Sequence, residues 1–290
     1  MRLKITPFLC RHLWFAALIF FLALFNVTAQ TMVFANVVSS EKHTDNSSRA
    51  LGNLADKAQI RASSGLILGA VGYSGHLELR FPGQVPANTT TYIKIDADHN
   101  LFPALLGGSL GNLLSNVLGV VLIGNQEFTV EARNNKTILI RGNSERNNDF
   151  AADRLRIVVN ANNEYFIAVT PDEAYDHIRL TNRLGSLVGL GNIKLLGVYG
   201  AYYVSAPNDC GTAAFTSYSG SGINLDALKI GGAGVSNPHH VLDNDPNSFS
   251  KLSMGILSAA GSIQQRVYFE GASHATDNFK LRLKVDPSLL

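Results

Sequence analysis

The chain has 290 residues, and its 24 basic and 22 acidic side chains nearly balance, so no cationic excess points to nucleic acid as a partner. Two cysteines in that length exclude a disulfide-stapled scaffold, and 46% apolar residues suffice for one or two ordinary cores instead.

Residues 1–30 read as a secretory signal peptide. Arg2, Lys4 and Arg11 precede the apolar run "LWFAALIFFLALF" (13–25), and Val27 and Ala29 occupy the small-residue positions of a cleavage site. That run is too short to span a bilayer core, which takes about 20 residues. Its removal leaves 21 basic against 22 acidic residues, a net of −1, and leaves Cys210 as the single thiol. The mature chain is therefore read as secreted or held at the cell surface, with no membrane span after the signal.

From residue 31 to residue 206 the pattern predicts a complete all-β unit, an antiparallel jelly-roll-like β-sandwich. Alternation of period two, the mark of a half-buried strand, occurs in "HLELRF" (76–81), "TYIKID" (91–96), "QEFTVEA" (126–132) and "TILIRG" (137–142). It continues in "RLRIVVN" (154–160), "YFIAVT" (165–170), "HIRLTN" (177–182) and "IKLLGVYGAYYV" (193–204), with turn-forming clusters such as "RNNK" and "TPDEA" between. Sequons at Asn46, Asn88 and Asn135 fall in the polar loops. One apolar stretch, 101–124, breaks the rhythm. Leu110, Leu113, Leu114, Val117 and Leu118 are spaced for one face of a short helix that would cap an open end of the sandwich.

Residues 207–290 read as a linker and a second, truncated copy of the same unit. "GYSGHLELRFPGQVPANTTTYIKID" (72–96) parallels "AAGSIQQRVYFEGASHATDNFKLRLKVD" (259–286): Phe81 matches Phe269, Gly83 matches Gly271, and a second alternating run ends at Asp96 or Asp286. Asp56 and Ile60 fall opposite Asp245 and Phe249. The Gly, Ser and Ala content of 205–239 is that of a linker, with a boundary near Pro207. Such a partial copy would expose unpaired edges and an uncovered apolar face.

Candidate chemistry is sparse. "GGSLG" (107–111) matches the nucleophile-elbow spacing around Ser109, but an elbow needs a strand before it and a helix after it in an α/β chain. "DADHN" (96–100) lacks the glycine and the distal acid of a calcium loop, so Asp96 reads as a strand-ending residue that bonds the following turn. "NPHHVLDNDPNSFSKLS" (237–253) is richer. His239 and His240 are adjacent and project in different directions, a poor chelating pair. Asp243, Asn244, Asp245 and Asn247 offer hard oxygens that suit a structural calcium ion, or equally a plain Asx-turn network with Pro246 fixing φ. No catalytic constellation stands out and no cofactor is implied.

These residues carry a resemblance. "NPHHVLDNDPNSFSKLS", the strand ending "YFEG" and "LRLKVDPSLL" look like repeat units of large exported surface proteins of Bacteroidetes, and "AYDHIRLTNRLGSLVGLGNIKLLGVYGAYY" resembles the closing part of such a unit. The units are in turn similar to galactose-binding-like sandwiches of the discoidin type. There an Asn-x-x-x-x-x-Asp-Gly-Asp-x-x-Thr stretch wraps one end of the barrel, where this chain has Asn237, Asp243, Asn244, Asp245 and Ser248, with Asn244 in place of glycine. The resemblance implies a non-catalytic surface protein, an adhesin or spacer meeting surface glycans or other surface proteins. It also implies, as alternatives, a carbohydrate-binding module or, further off, a secreted hydrolase. The tryptophan that commonly follows the stretch is missing, and Phe249 stands nearby.

Overall fold

The structure, a computed structural model, describes residues 31–64, 72–97, 101–107, 126–184, 193–205, 211–221, 234–243, 245–254, 261–271 and 273–285. The signal segment, Ser109, Cys210, Asn244 and the helical spacing at 110–118 lie outside these residues.

Seventeen strands are described, all paired antiparallel. Five form one sheet: β2 (Val37–Lys42), β5 (Gly75–Val85), β12 (Tyr175–Leu184), β7 (Gln126–Asn134) and β8 (Thr137–Asn143), in that order. The larger sheet has ten strands. Its centre runs β10 (Leu155–Val159), β11 (Tyr165–Val169), β6 (Thr91–Ala97), β13 (Ile193–Ser205) and β4 (Ala58–Ser63). Short β3 (Thr44–Asp45) closes one edge, while β1 (Thr31–Phe34) and β9 (Ala151–Ala152) pair off the main path with β13 and β10.

The two sheets pack face to face because the apolar positions recur at every second residue and so share one side. Leu77, Leu79, Phe81, Phe128, Val130, Ile178 and Leu180 of the smaller sheet meet Ile60, Ile93, Ile95, Ile157, Ile167, Leu196 and Val198 of the larger, each at most 3% exposed. A short helix, α1 (Leu101–Leu106), caps the core with buried Phe102, Leu105 and Leu106. The Phe102 ring lies 5.6 Å from Phe128 and 5.8 Å from Tyr165. This helix precedes the 110–118 spacing that predicts a cap, and that spacing lies outside the described residues.

Two polar side chains point into this core from β12. Asn182 is fully buried, and its amide donates to the carbonyls of Ile60 (2.8 Å) and Lys194 (3.0 Å) on the opposite sheet. Its Oδ1 accepts from Gln126 (3.0 Å), which donates also to Leu195 O (3.0 Å). Towards the other end of β12, buried Tyr175 shares a 2.6 Å hydrogen bond with Thr91 and donates to Thr89 O (3.0 Å). Polar clasps therefore join the sheets at both ends of one strand.

Asparagine has a second duty in the turns. Asn46, Asn88 and Asn135, the sequon residues, all adopt positive φ (54°, 61° and 52°), as do Asn163 and Asn237. Asparagine tolerates this left-handed region better than other residues with a Cβ. One such turn recurs: Asn46 precedes a 3-10 turn at Ser47–Ala50 and then β4, and Asn237 precedes one at Pro238–Val241 and then β16 (Lys251–Ser253), which pairs with β15 (Gly234–Ser236).

Two expectations for the C-terminal third need correction. Residues 213–221, given a linker's composition, form β14 (Ala213–Ser221), which meets β10 at Val159↔Thr216 and pairs along its length with β17 (Ser262–Phe269). Burial of Phe215, Thr216 and Tyr218 overrides the weak strand preference of the surrounding Ala, Ser and Gly. Conversely, 279–285 alternates like a strand but pairs with none among the described residues. A strand with no neighbour leaves its backbone and its apolar side to water.

Removing the Asn182 amide strands the carbonyls of Ile60 and Lys194 and one end of Gln126. Asn182→Ala should lower the unfolding free energy by about 2–4 kcal/mol in urea denaturation. A loss under about 0.5 kcal/mol would show that the clasp is not what joins the sheets at this end.

Candidate ligand-binding face

The outer sides of the two sheets differ in chemistry. Behind the larger sheet, Tyr92, Val158, Phe166, Ala168, Tyr202 and Val204 form a second apolar cluster, and Phe215 of β14 seals it. Tyr92 and Phe215 stack at 4.5 Å, and the guanidinium of Arg156 sits 4.4 Å over the Tyr268 ring of β17. Strands β14 and β17, which continue the same sheet beyond β10, bring Phe215 and Tyr268 to this side, and burial pushes the Tyr92 phenol up to about 12.

The five-stranded sheet carries charge instead. On its outer side the strand register lines up Ser40, Glu78, Arg179, Glu131 and Arg141, so that charge alternates in sign across four adjacent strands. Glu131 is 4% exposed, yet both its oxygens are engaged: Oε1 accepts from Arg141 Nε (2.6 Å) and Oε2 from Arg133 Nε (2.7 Å). Arg133 also donates to Glu78 Oε2 (3.0 Å), as Arg179 does at 3.4 Å, and Ser39 donates to Glu78 Oε1 (3.0 Å). A nearly buried carboxylate is tolerated when charge-assisted bonds of this kind satisfy it.

Beside this row lies a pocket of about 440 Å³ lined by Thr129, Glu131, Arg141, Asn143, Arg146, Asp149, Thr181 and Arg183. Strands β7, β8 and β12 supply six of these side chains. The loop after β8 brings the other two, anchored where Asp149 Oδ2 accepts the Asn143 N–H (3.0 Å). Glu131 is saturated, whereas the Arg146 guanidinium has no hydrogen-bond or ion-pair partner among the described residues, and Arg183 stands opposite Glu127 of β7, on whose carboxyl its charge acts. Three guanidinium groups face two carboxylates, with the hydroxyls of Thr129 and Thr181 between them. Such a lining suits an anionic group on a ligand that also presents hydroxyls. Among the described residues this lining holds no aromatic ring for stacking a sugar.

At the other side of the same face, Ser40 Oγ and His76 Nε2 lie 2.9 Å apart. Burial, then the neighbouring Arg179, holds His76 below the usual imidazole range, so the ring is neutral at pH 7. This is a hydroxyl beside a base, and no acid that orients the imidazole is found among the described contacts.

The residues singled out from sequence lie elsewhere. Asp243, Asp245 and Asn247 sit on an exposed loop before β16. Asp243 Oδ1 accepts the Asp245 N–H (3.1 Å), Asp245 Oδ1 accepts the Asn247 N–H (2.9 Å), and Ser248 Oγ lies 2.6 Å from each Asp243 oxygen. The Ser248 hydroxyl holds the Asp243 carboxyl below its ordinary value. These are Asx-turn bonds, and they account for the loop's shape. Two described carboxylates here compare with the six to eight oxygens that calcium takes, and no group of three or more metal-binding side chains gathers among the described residues. His239 and His240 pack edge to face at 4.5 Å. Asp96 accepts a 2.5 Å ion pair from Lys57 of the loop before β4, and the turn that follows it, 98–100, lies outside the described residues.

Glu127, next to the pocket and 3% exposed, gives this face a pH signature. Burial first, then the shared hydrogen bond and negative charge of Glu145, push its carboxyl up to about 6, with Arg183 opposing. Folded, the group keeps its proton to higher pH than it does unfolded, where 4.5 is ordinary, so its contribution to stability falls as pH rises from 4.5 to about 6. Glu127→Gln should therefore be more stable than the parent at pH 7 by about 1–2 kcal/mol, with the difference vanishing near pH 4. Equal denaturation midpoints at pH 7 would contradict the assignment.

No protein-family model, no curated protein and no solved structure matches this chain.

Proposed function

We propose that the chain is a non-catalytic β-sandwich module of an exported protein, acting at the cell surface in adhesion, and that its contact face is the outer side of the five-stranded sheet. The observation that carries this reading is the pocket in which the guanidinium groups of Arg146, without a partner among the described residues, and of Arg183, opposite Glu127, stand beside threonine hydroxyls. Planar, permanently charged forks bind carboxylate and sulfate groups in bidentate fashion, and the hydroxyls suit a polyol. An acidic surface glycan combines both features. The resemblance to exported surface repeats and discoidin-type sandwiches supports the same reading, and so does the position of the pocket on the outer side of the five-stranded sheet.

One observation favours a second reading, a secreted hydrolase: the Ser40–His76 contact. A nucleophile is activated by a base that a third group orients, and that third group is not found here among the described contacts.

Calorimetry on residues 31–290 separates the readings. Polygalacturonate should bind, a neutral galactan should not, and Arg146→Ala with Arg183→Ala should weaken binding at least about tenfold, the loss of one or two charge-assisted contacts. Equal affinity for the neutral polymer, or no effect of the double substitution, would remove the acidic-glycan reading. Ester or glycoside turnover that disappears in Ser40→Ala would establish the hydrolase in its place.

A further inference from the structure

Residues 279–285 have the make-up of a strand and the surroundings of none. Phe279, Leu281, Leu283 and Val285 are 58%, 71%, 75% and 75% exposed, and the intervening Lys280, Arg282 and Lys284 are exposed as well. As an extended strand, such a run sets its apolar residues on one side and its cationic residues on the other. It belongs to none of the three described sheets, and its ring contact is that of Phe279 with Phe269 at 5.0 Å. The contact ties the start of the segment to the end of β17.

The same chain shows what a run of this pattern takes when it is satisfied. Its sequence parallel, β6, lies between β11 and β13, with antiparallel ladders on both edges. There Ile93 and Ile95 are 0% and 3% exposed, and the alternate Lys94 reaches Glu164 beside β11 at 2.7 Å. Flanking strands cover the backbone, a facing sheet covers the apolar side, and an acid meets the lysine. Residues 279–285 present the same requirements with a denser cationic side.

We propose that this segment docks a partner by β-strand pairing, and that its occupant is an extended strand of a partner polypeptide in which apolar residues alternate with acidic ones. Main-chain bonds supply affinity in such additions, while the alternate side chains supply selectivity. A second copy of the segment is a poor occupant, because pairing it with itself sets Lys and Arg against Lys and Arg, and like charges directly opposite are destabilising. The inference is independent of the glycan pocket, which lies on the five-stranded sheet.

The test uses residues 31–290 and a fluorescent, end-blocked peptide of about eight residues alternating valine with glutamate, a length that matches an ordinary strand. Anisotropy should show saturable binding that weakens with added salt, and the lysine counterpart of the peptide should bind about tenfold more weakly. Arg282→Glu with Lys284→Glu should reverse that preference. Leu283→Pro, which removes a ladder donor from the segment, should abolish binding of both peptides. Since 279–285 adds little to the core, all variants should keep the parent's melting midpoint. Arg146→Ala with Arg183→Ala should leave peptide binding unchanged, which keeps this result separate from the glycan result. Equal binding of the two peptides, binding of neither, retention after Leu283→Pro, or self-association abolished by Leu283→Pro would each overturn the proposal.

Discussion

The separation and alignment of the two sheets depend on one buried amide. Asn182 sits where the alternation of β12 puts a core residue, after Ile178 and Leu180, and it bonds two backbone carbonyls of the opposite sheet. A hydrophobic side chain there would fill the space and specify nothing, since one-residue slips and sheet rotations leave apolar contacts largely interchangeable. An amide accepts only one arrangement. With Tyr175 bonded to Thr91 and Thr89, β12 is fixed at two points. Its register against β5 and β7 follows, because a shift of one residue would turn Asn182 outward and Arg183 inward.

That inner constraint determines the outer chemistry. The row Glu78, Arg179, Glu131 and Arg141 alternates in sign only in the observed register, and the Glu131 carboxylate survives near-complete burial only because Arg133 and Arg141 bracket it. Saturation of this row is what makes the neighbouring pocket distinctive. Arg141 is taken up by Glu131, while the Arg146 guanidinium has no partner among the described residues. The larger sheet takes the opposite course, gathering tyrosines and phenylalanines into a second apolar cluster. Chemistry therefore concentrates on one side of the sandwich.

Much of the fold was legible in the sequence because burial on one side imposes period two. From "HLELRF" to "IKLLGVYGAYYV" each alternating run of the first unit is a strand, most of them one to four residues longer than the run itself. Short pieces such as β1, β2 and β3 were not legible, since two to six residues carry too few periods. β14 was hidden by its small residues, whose strand form comes from neighbours and not from propensity. The sequon asparagines were visible as motifs, but their role as left-handed turn residues needed the backbone. The charged face was harder. Glu78, Arg179, Glu131 and Arg141 are far apart along the chain, and each by itself is an ordinary outward strand residue. Only cross-strand register makes them a row, and sequence periodicity says which side a residue faces without saying whom it meets. The Asp243–Asn247 loop was legible for the opposite reason: its bonds are local, so spacing alone revealed the turn network as one of its two readings.

Pairing of β1 with β13 has a mechanical consequence. Thr31 lies opposite Ser205 and Phe34 opposite Tyr202, and the Ser205 hydroxyl reaches Thr31 O at 3.1 Å. Tension applied between residues 31 and 205 pulls on two strands side by side at the same end, so it loads these bonds one after another and not all together. The ribbon peels at low force. Peeling then meets Ala35, fully buried and bonded to Ala201 O at 2.9 Å, where core residues begin to share the load. A module tethered through this pair of ends would yield a few ångströms under a gentle tug and stiffen before its scaffold opened.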